Sequence, residues 1–444
     1  MVKIKRYLLI LGDVTFLYLA LWLTLYLRYG QKWSLAWEQH FYPFSIIYAL
    51  MLVVFYIIGL YELSIARNNL NFFNTLTKGL ASGALIAISF FYLIPYFVIA
   101  PKTNLFLDLI IAALLLTGWR QIYNYFIKTS ALLNNVLVMG QTKETEELID
   151  FIKRHPQLGF RIRKVVEPSE LKILQQLIEV LIQEKIQIVV TAANPYKDKT
   201  LVRNLYQCLP LQISVIDLPA FYERLTAKIP VSAIEEIWFL ENLMSGKKSF
   251  FESAKRIVDF ILAIIGSVAT VILTPLIALL IKIDSTGPVF YRQKRVGKDN
   301  RLFEIIKFRT MVKDAEKAGA QWAKENDGRV TRVGRFLRKT RLDELPQFFN
   351  ILRGDMSFVG PRPERPEFAF SNELTSQIHF YQIRHIVKPG ATGWAQIKYP
   401  YGASVADTMQ KLQYDLYYIK NRSLIFDLAI ILKTIRIVLG GGGR

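Results

Sequence analysis

Four apolar stretches fill the first part of the chain, roughly Tyr7 to Leu27, Phe41 to Leu60, Leu76 to Ile99 and Leu105 to Ile127. Each approaches or exceeds the ~20 residues a helix needs to cross the hydrocarbon core of a bilayer. The first is longer than the apolar core of a secretory signal, and no small-residue cleavage site follows it, so it reads as a retained anchor. Lys3, Lys5 and Arg6 precede it, Arg67 and Lys78 lie in the second connection, and Lys128 follows the fourth run. The connections assigned to the outer side carry Lys32 and Lys102. This modest bias places the N terminus inside and returns the chain to the cytosol after four crossings.

With 444 residues, 52% of them hydrophobic, the chain has room for two or three domains and is too apolar for an ordinary soluble enzyme. A formal net charge of +20 leaves anionic lipid, nucleic acid and phosphorylated substrate as partner classes. Cys208 is the single cysteine, which excludes an internal disulfide framework and fits soluble parts that face a reducing compartment.

Between Asn135 and about Met244 the pattern changes to short strands alternating with helices. Val136-Leu137-Val138-Met139, Ile186 to Val190 and Ile213 to Ile216 read as buried parallel strands, and Lys143 to Arg154 and Glu170 to Glu184 as helices. A strand ending at Gly140 ahead of a helix invites a dinucleotide-binding reading, but Gly140-Gln141-Thr142-Lys143-Glu144 lacks the second and third glycines of that fingerprint. Without them the backbone cannot approach a pyrophosphate closely, and Glu144 at the helix start opposes its charge. A structural or regulatory domain without nucleotide is expected.

Ile257 to Ile283 forms a fifth apolar run, flanked by Lys255, Arg256 and Lys282. As one straight helix it would extend about 40 Å, beyond the ~30 Å hydrocarbon core. Thr274-Pro275 interrupts it. Proline removes a backbone donor and crowds the preceding turn, so a bend is expected, with the Thr274 hydroxyl able to satisfy a freed carbonyl. A sharp bend returns both ends to one anionic headgroup layer. A kinked, spanning helix is the commoner use of such a proline, but it would put two regions rich in Lys and Arg on opposite sides, so re-entry is expected.

The polar segment that follows carries the chemistry. Leu342-Asp343-Glu344-Leu345-Pro346 sets two adjacent carboxylates in a basic stretch: from Arg329 to Arg353 they are the only acids beside seven Lys or Arg. That setting favours their ionised forms and attracts a polyanion. A carboxylate beside a bound phosphate is a candidate nucleophile or metal ligand. The plainer reading makes Asp343 a helix N-cap, with Pro346 in the first turn, and a helix N terminus would also lower its pKa. Successive helical residues point about 100° apart, so one carboxylate can attack while the other binds metal. Arg329, Arg332, Arg335 and Arg338 make a basic stripe at helical spacing.

Lys307-Phe308-Arg309-Thr310-Met311 offers two alternating cations on one strand face, and Pro361-Arg362-Pro363 fixes an arginine between two restricted φ angles. Gly390-Ala391-Thr392-Gly393-Trp394 is a loop with close-approach glycines and a tryptophan free to stack on a base or support the core. No histidine pair has zinc-ligand spacing, no phosphate-binding Gly-x-x-x-x-Gly-Lys loop and no serine elbow occurs, and a magnesium ion held by one carboxylate and substrate phosphates fits best. Leu424 to Leu439, with Asp427, Lys433 and Arg436 and closed by Gly440 to Gly443, reads equally as an interfacial or a core helix.

Lys307 to Met311, Leu342-Asp343-Glu344-Leu345-Pro346-Gln347, Gly354-Asp355-Met356-Ser357-Phe358-Val359-Gly360-Pro361-Arg362-Pro363 and Lys388-Pro389-Gly390 together closely resemble the bacterial sugar transferases, the monotopic phosphoglycosyl transferases, from roughly Ser253 to the C terminus. With the preceding segments the chain resembles the large form of that family. The resemblance implies an α+β membrane protein: four transmembrane helices (1–130), a cytosolic Rossmann-like α/β domain without an intact nucleotide fingerprint (131–250), and a mostly helical catalytic domain (251–444). Its re-entrant helix (253–283) would bend at Thr274-Pro275, where a more frequent family pattern has serine before the proline.

The implied reaction moves a sugar 1-phosphate, glucose being the expected sugar, from a UDP-sugar to undecaprenyl phosphate on the cytosolic face of the bacterial inner membrane. It releases UMP and initiates exopolysaccharide or O-antigen synthesis. Asp343 would be the nucleophile of a phosphosugar-aspartyl intermediate and Glu344 the Mg2+-associated partner. Lys307, Arg309, Arg341 and Arg362 would be phosphate contacts, and Asp415 in Tyr414-Asp415-Leu416-Tyr417-Tyr418 a further active-site acid. Membrane lipid and a second copy of the chain, as a homodimer, are implied partners; nucleic acid is not. Two other readings remain: a membrane-anchored protein that binds anionic lipid or nucleic acid without catalysis, and a processive glycosyltransferase that releases UDP.

Overall fold

The computed structural model describes residues 2–94, 102–127, 133–167, 174–192, 199–243, 249–313, 315, 327–399, 402 and 404–439. Lys128, the end of the third apolar run, the start of the helix expected from Glu170 and Gly440 to Gly443 lie outside them. The chain divides into two compact units, Met1–Leu218 and Pro219–Arg444.

Three stretches of the first unit are long and apolar enough to cross a membrane: Ile4–Ile57, Leu70–Leu93 and Thr103–Phe126. The first comprises α1 (Val2–Tyr29) and α2 (Trp33–Ile57), joined by one 3-10 turn; α3 (Leu70–Leu93) and α4 (Lys102–Phe126) make the others. The four apolar runs read from the sequence thus correspond to four helices. The buried charges Asp13, Asp108 and Arg120 inside the runs find partners within the unit. Arg120 of α4 forks onto Asp13 of α1, Nε at 2.9 Å from Oδ1 and the second nitrogen on Oδ2, and donates to the Leu60 carbonyl at 2.8 Å. Tyr61 also donates to Asp13, at 2.8 Å, and Tyr48 of α2 donates to Asp108 of α4 at 2.7 Å. Ionisable groups among apolar helices persist by finding such partners.

The rest of this unit is a parallel sheet in the order β2-β1-β3-β4, built from β1 (Asn134–Met139), β2 (Phe160–Val166), β3 (Ile188–Thr191) and β4 (Ser214–Asp217), with α5 (Lys143–Arg154), α6 (Leu174–Gln183) and α7 (Lys199–Gln207) between them. Three strands match in place those read from the sequence, but only β1 and β3 are buried as expected; β4 is a sheet edge and mostly exposed, because no strand covers its outer side. The missed one, β2, is a sheet edge whose residues Arg161 and Lys164 face solvent, so the apolar run that marks a central strand is absent there. After β1 the Gln141 amide donates to the Glu167 carboxylate at 3.0 Å, so an anion already occupies a donor that a phosphate would need.

The second unit continues from α8 (Leu218–Thr226) and α9 (Glu236–Leu243) into α10 (Ser249–Asp284), a 36-residue helix that stays helical through Pro275. The Thr274 hydroxyl donates to the Thr270 carbonyl at 2.7 Å, one turn back, whereas the carbonyl left without an amide by Pro275 is that of Val271. After α10 come an antiparallel hairpin of β5 (Phe290–Val296) and β6 (Leu302–Phe308), α11 (Arg332–Thr340), α12 (Gln347–Arg353) and β7 (Ser357–Val359). Short α13 (Pro366–Ala369) and α14 (Asn372–Gln377) precede β8 (Gly390–Thr392), which pairs in parallel with β7; α15 (Trp394–Lys398), α16 (Val405–Asn421) and α17 (Leu424–Leu439) close the chain. A core of Val296, Val359, Trp394, Leu412, Leu416, Tyr418 and Ile430 joins these elements.

One face of α10 packs on this unit along nearly its whole length. Lys255 pairs with Asp427 of α17, and Arg256 donates to the Ile351 and Leu352 carbonyls at 2.7 and 2.8 Å. Asp259 accepts from Ser357 Oγ and the Phe358 amide. Gly266 lies under the Phe348 ring, where an added Cβ would sit 2.6 Å from it, and Ile277 and Ile281 pack with Phe308 and Leu337. Ile257, Ile261, Ile265, Val268, Ile272, Leu276, Leu279 and Ile283 face outward, exposed. In α17, Ile430 is buried and Asp427 turns inward to accept from Tyr418, while Ile425, Leu428 and Arg436 are exposed.

Candidate active site

A cavity of about 1050 Å3 opens in the second unit, lined by Lys307, Arg309, Arg338, Arg341, Asp343, Glu344 and Arg362, with Arg295, Glu364, Arg384 and Lys411 along the same wall. Among the described residues its lining holds many Lys and Arg side chains and the carboxylates of Asp343, Glu344 and Glu364.

The carboxylate pair sits in a tight 3-10 turn, Leu342–Glu344, between α11 and α12. Arg341 enters it at φ 59°, a left-handed conformation that a non-glycine residue adopts at some cost, and it swings the next two side chains toward the cavity. Asp343 is therefore no N-cap: Arg341 caps the turn, Pro346 precedes α12, and neither makes a side-chain capping bond. The chain closes one 3-10 turn before the helix because Arg341 breaks the helical φ. The basic stripe is shorter than its spacing implied, since Arg329 precedes α11 and chelates Asp327, NH2 at 2.6 Å from Oδ2. Arg332 and Arg335 face solvent, and Arg338 turns back to donate to Thr310 Oγ1 at 2.8 Å.

Glu344 is ringed by three cations: Lys307 Nζ at 2.8 Å, Arg362 NH2 at 3.3 Å and Arg341 NH1 at 3.6 Å. Burial alone would raise its pKa, but Lys307, Arg362 and Arg341 hold it well below the carboxylate range. Asp343 behaves oppositely. Burial, then the neighbouring Glu344 charge, push it up to about 6 against the pull of Lys307, Arg338 and Arg341. The expectation that the basic setting favours both ionised forms holds for Glu344 and fails for Asp343, which is 7% exposed and whose Oδ1 has no hydrogen-bond partner. Adjacent acids in one pocket divide in this way, one stabilised by the cations and the other left with the repulsion.

The other expected contacts divide as well. Lys307, at the end of β6, reaches Glu344 and lines the cavity, and burial lowers its pKa. Arg309 lines the cavity too, but its terminal nitrogens hold the Thr286 and Ser285 carbonyls just after α10. Arg341 and Arg362 converge on Glu344. Asp415 is not in the cavity lining; it is 1% exposed and its Oδ2 lies 2.8 Å from Arg384 NH2 as a charge pair. Burial pushes its carboxyl up to about 6. In the loop from Gly390 to Trp394 the glycines admit protein backbone: a Cβ on Gly390 would lie 2.1 Å from the Gly360 amide. Trp394 is a core residue whose indole donates to the Ala227 carbonyl at 2.9 Å.

Sequence reasoning missed Arg295, Glu364, Arg384 and Lys411 in this wall. For Arg295 a signal existed: Tyr291, Gln293 and Arg295 alternate along β5 on one face, with Tyr291 opposite Lys307, and all line the cavity. Burial, then Arg362 and Arg365, lower Arg295 to about 10.

Among the described residues no three His, Cys, Asp or Glu side chains converge as a metal cluster. The donor set fits a magnesium ion that takes few protein oxygens and completes its shell from phosphate and water. Asp343 Oδ1 is an orphaned buried carboxylate oxygen, and of the cations on Glu344, Arg341 is the most distant.

A family model described as bacterial sugar transferase matches residues 250–441. A UDP-glucose:undecaprenyl-phosphate glucose-1-phosphate transferase of Xanthomonas campestris pv. campestris is 34% identical over 356 residues, 75% of this chain and 72% of the relative. The chain belongs to the bacterial sugar transferase family. A UDP-N-acetylgalactosamine-undecaprenyl-phosphate N-acetylgalactosaminephosphotransferase of Aeromonas hydrophila is 45% identical over 244 residues, 54% of this family member and 56% of the relative. The glucose-1-phosphate transferase of Escherichia coli (strain K12) is 35% identical over 322 residues, 68% and 66% of the two chains. The matches therefore span between about half and three quarters of these relatives' lengths. Asp343, Glu344, Lys307, Arg309, Arg341, Arg362 and Asp415 all fall inside the matched segment.

Proposed function

We propose that the protein transfers a sugar 1-phosphate from a UDP-sugar to undecaprenyl phosphate through a covalent phosphosugar on Asp343, with release of UMP. The observation that carries this reading is Asp343 itself: a buried carboxylate with an unpartnered oxygen, on the wall of a large cationic cavity, beside a second carboxylate whose charge is already compensated. An anion kept short of hydrogen bonds is a better nucleophile than one held by three cations, so the attacking role falls to Asp343 and the orienting role to Glu344.

In the first displacement an Asp343 oxygen bonds to the sugar-bearing phosphorus and the bond to the bridging oxygen of UMP breaks, its electron pair leaving with UMP. In the second, an oxygen of the lipid phosphate bonds to that phosphorus, the aspartyl oxygen leaves, and the carboxylate is regenerated with the lipid diphosphate-sugar. Lys307, Arg338, Arg341 and Arg362 hold the phosphate oxygens as charge develops on them. A magnesium ion would be held by Glu344 and would supply positive charge to the phosphate oxygens of the departing UMP.

Re-entry of α10 at the membrane is part of the proposal. Contacts from Lys255 to Ile281 bind one face of the helix to the same polar unit, while the opposite face is apolar and exposed. A helix that crossed the bilayer would drag that unit through the hydrocarbon; a helix lying in one leaflet would not. With α1 to α4 returning the chain, the site would face the cytosol at the inner membrane.

The test incubates purified protein with magnesium, undecaprenyl phosphate and a panel of UDP-glucose, UDP-galactose and UDP-N-acetylgalactosamine, and measures nucleotide release. UMP from one or more of them, abolished by Asp343→Asn, is the expected result; UDP would favour a processive glycosyltransferase. Absence of both, with lipid binding that falls steeply with salt, would favour a binding protein.

A further inference from the structure

Asp415 has the composition of an active-site acid and the position of a support. Its carboxylate is 1% exposed, behind the cavity wall, against Arg384, which is 4% exposed and on that wall. Arg384 spends its terminal nitrogens on protein groups: NH2 lies 2.8 Å from Asp415 Oδ2 and donates to the Arg362 carbonyl at 3.2 Å, and NH1 donates to Tyr381 at 3.0 Å with Glu364 at 3.8 Å. Its guanidinium carbon also lies 5.3 Å from the centre of the Tyr381 ring. The Arg362 carbonyl belongs to the Pro361-Arg362-Pro363 turn, and the Arg362 side chain reaches Glu344.

We propose that Asp415 and Arg384 are positioning residues, a buried strut from α16 that fixes the Arg362 turn from behind and thereby aims the Arg362 guanidinium at Glu344 and at substrate phosphate. The strut has two links, Asp415 orienting Arg384 by charge and Arg384 holding the Arg362 carbonyl; the flanking prolines fix their own φ angles but not that of Arg362, which this hydrogen bond holds. Asp415 transfers no proton in this scheme. Arg362 needs such a brace because Glu344, the carboxylate its side chain reaches at 3.3 Å, is shared with Lys307 and Arg341, so that contact alone does not select one orientation of the turn.

The kinetic arm of the test rests on the transferase reading; a second arm does not. Full-length Asp415→Asn and Arg384→Lys, each made alone and in an Arg362→Lys background, are assayed for UMP release. In the wild-type background each should lower kcat/KM at least tenfold. In the Arg362→Lys background each should change it less than twofold, because a flexible point charge depends far less on the orientation of the turn than the planar guanidinium does. The pH–rate profile of Asp415→Asn should keep the shape of the wild type. Equal losses in both backgrounds, or loss of one limb of the profile, would overturn the proposal. Hydrogen exchange of the backbone from 358 to 368 should speed up in both single variants, and unchanged exchange in both would also overturn it. Arg384→Lys retains the charge on Asp415, so it carries both arms should Asp415→Asn not fold. A wild-type protein that releases no UMP would sink the transferase reading and leave the exchange arm to decide the strut.

Discussion

Asp343→Asn should stabilise the protein while it abolishes turnover. Asp343 is 7% exposed, and its carboxyl is lifted from 3.8 to about 6 by burial and by repulsion from Glu344. At 1.36 kcal/mol per pKa unit, that rise means about 3 kcal/mol held against the ionised form at neutral pH. Asparagine has nearly the same volume, so the charge is removed without opening a cavity. Its amide still needs a partner where Oδ1 has none, which reduces the gain to about 1–3 kcal/mol. For a domain of this size each kcal/mol moves the melting midpoint by about 2–4 °C.

The assay is thermal unfolding in nanodiscs with EDTA present, beside UMP release with magnesium. For an acid whose folded pKa lies above its unfolded one, the cost is full above about 6 and vanishes below 3.8. The gap between variant and wild type should therefore shrink as pH falls from 7 to 4. Glu344→Gln should move the other way, by about 1–3 kcal/mol, because three cations lose their counter-charge; the figure is below the usual cost of breaking a buried pair since Arg341 and Arg362 side chains are 33% and 39% exposed. An Asp343→Asn protein less stable than wild type, or one that still releases UMP, would refute the reasoning.

Lys307→Met should reduce kcat by about 10²–10³, the usual effect of removing one donor aimed at developing charge, and a kcat within threefold of wild type would count against a phosphate role. Gly266→Val should destabilise the second unit by about 1–3 kcal/mol, since a Cβ there meets the Phe348 ring at 2.6 Å; an unchanged melting midpoint would show that α10 and α12 pack less closely. Arg120→Met leaves Asp13 buried without its charge partner, and should cost about 3–5 kcal/mol, read as a lower melting midpoint in detergent; an unchanged midpoint would show that the pair adds nothing to the helix packing. EDTA should abolish UMP release and added magnesium restore it; full activity in EDTA would remove the ion from the mechanism.

Runs of apolar residues determined by themselves that the chain has membrane-length helices at 1–127 and 250–284, because length and hydropathy alone set whether a segment can satisfy its backbone in hydrocarbon. The buried strands β1 and β3 were legible for the same reason, each an unbroken apolar run. The motif around Asp343 was legible as chemistry because two adjacent acids among cations are conspicuous without any fold. Other features depended on which distant residues meet. Whether Asp343 or Glu344 is the compensated carboxylate turns on Lys307 from β6 and Arg362 from the proline turn, contacts separated by 37 and 18 residues. Arg309 lines the cavity yet spends its terminal nitrogens on the Ser285 and Thr286 carbonyls, and Asp415, which the family resemblance implied as an active-site acid, lies outside the cavity lining against Arg384. A residue type and its local spacing specify what a side chain can bond; only the tertiary structure specifies which partner reaches it first, and in a low-dielectric pocket that choice sets its charge and its role.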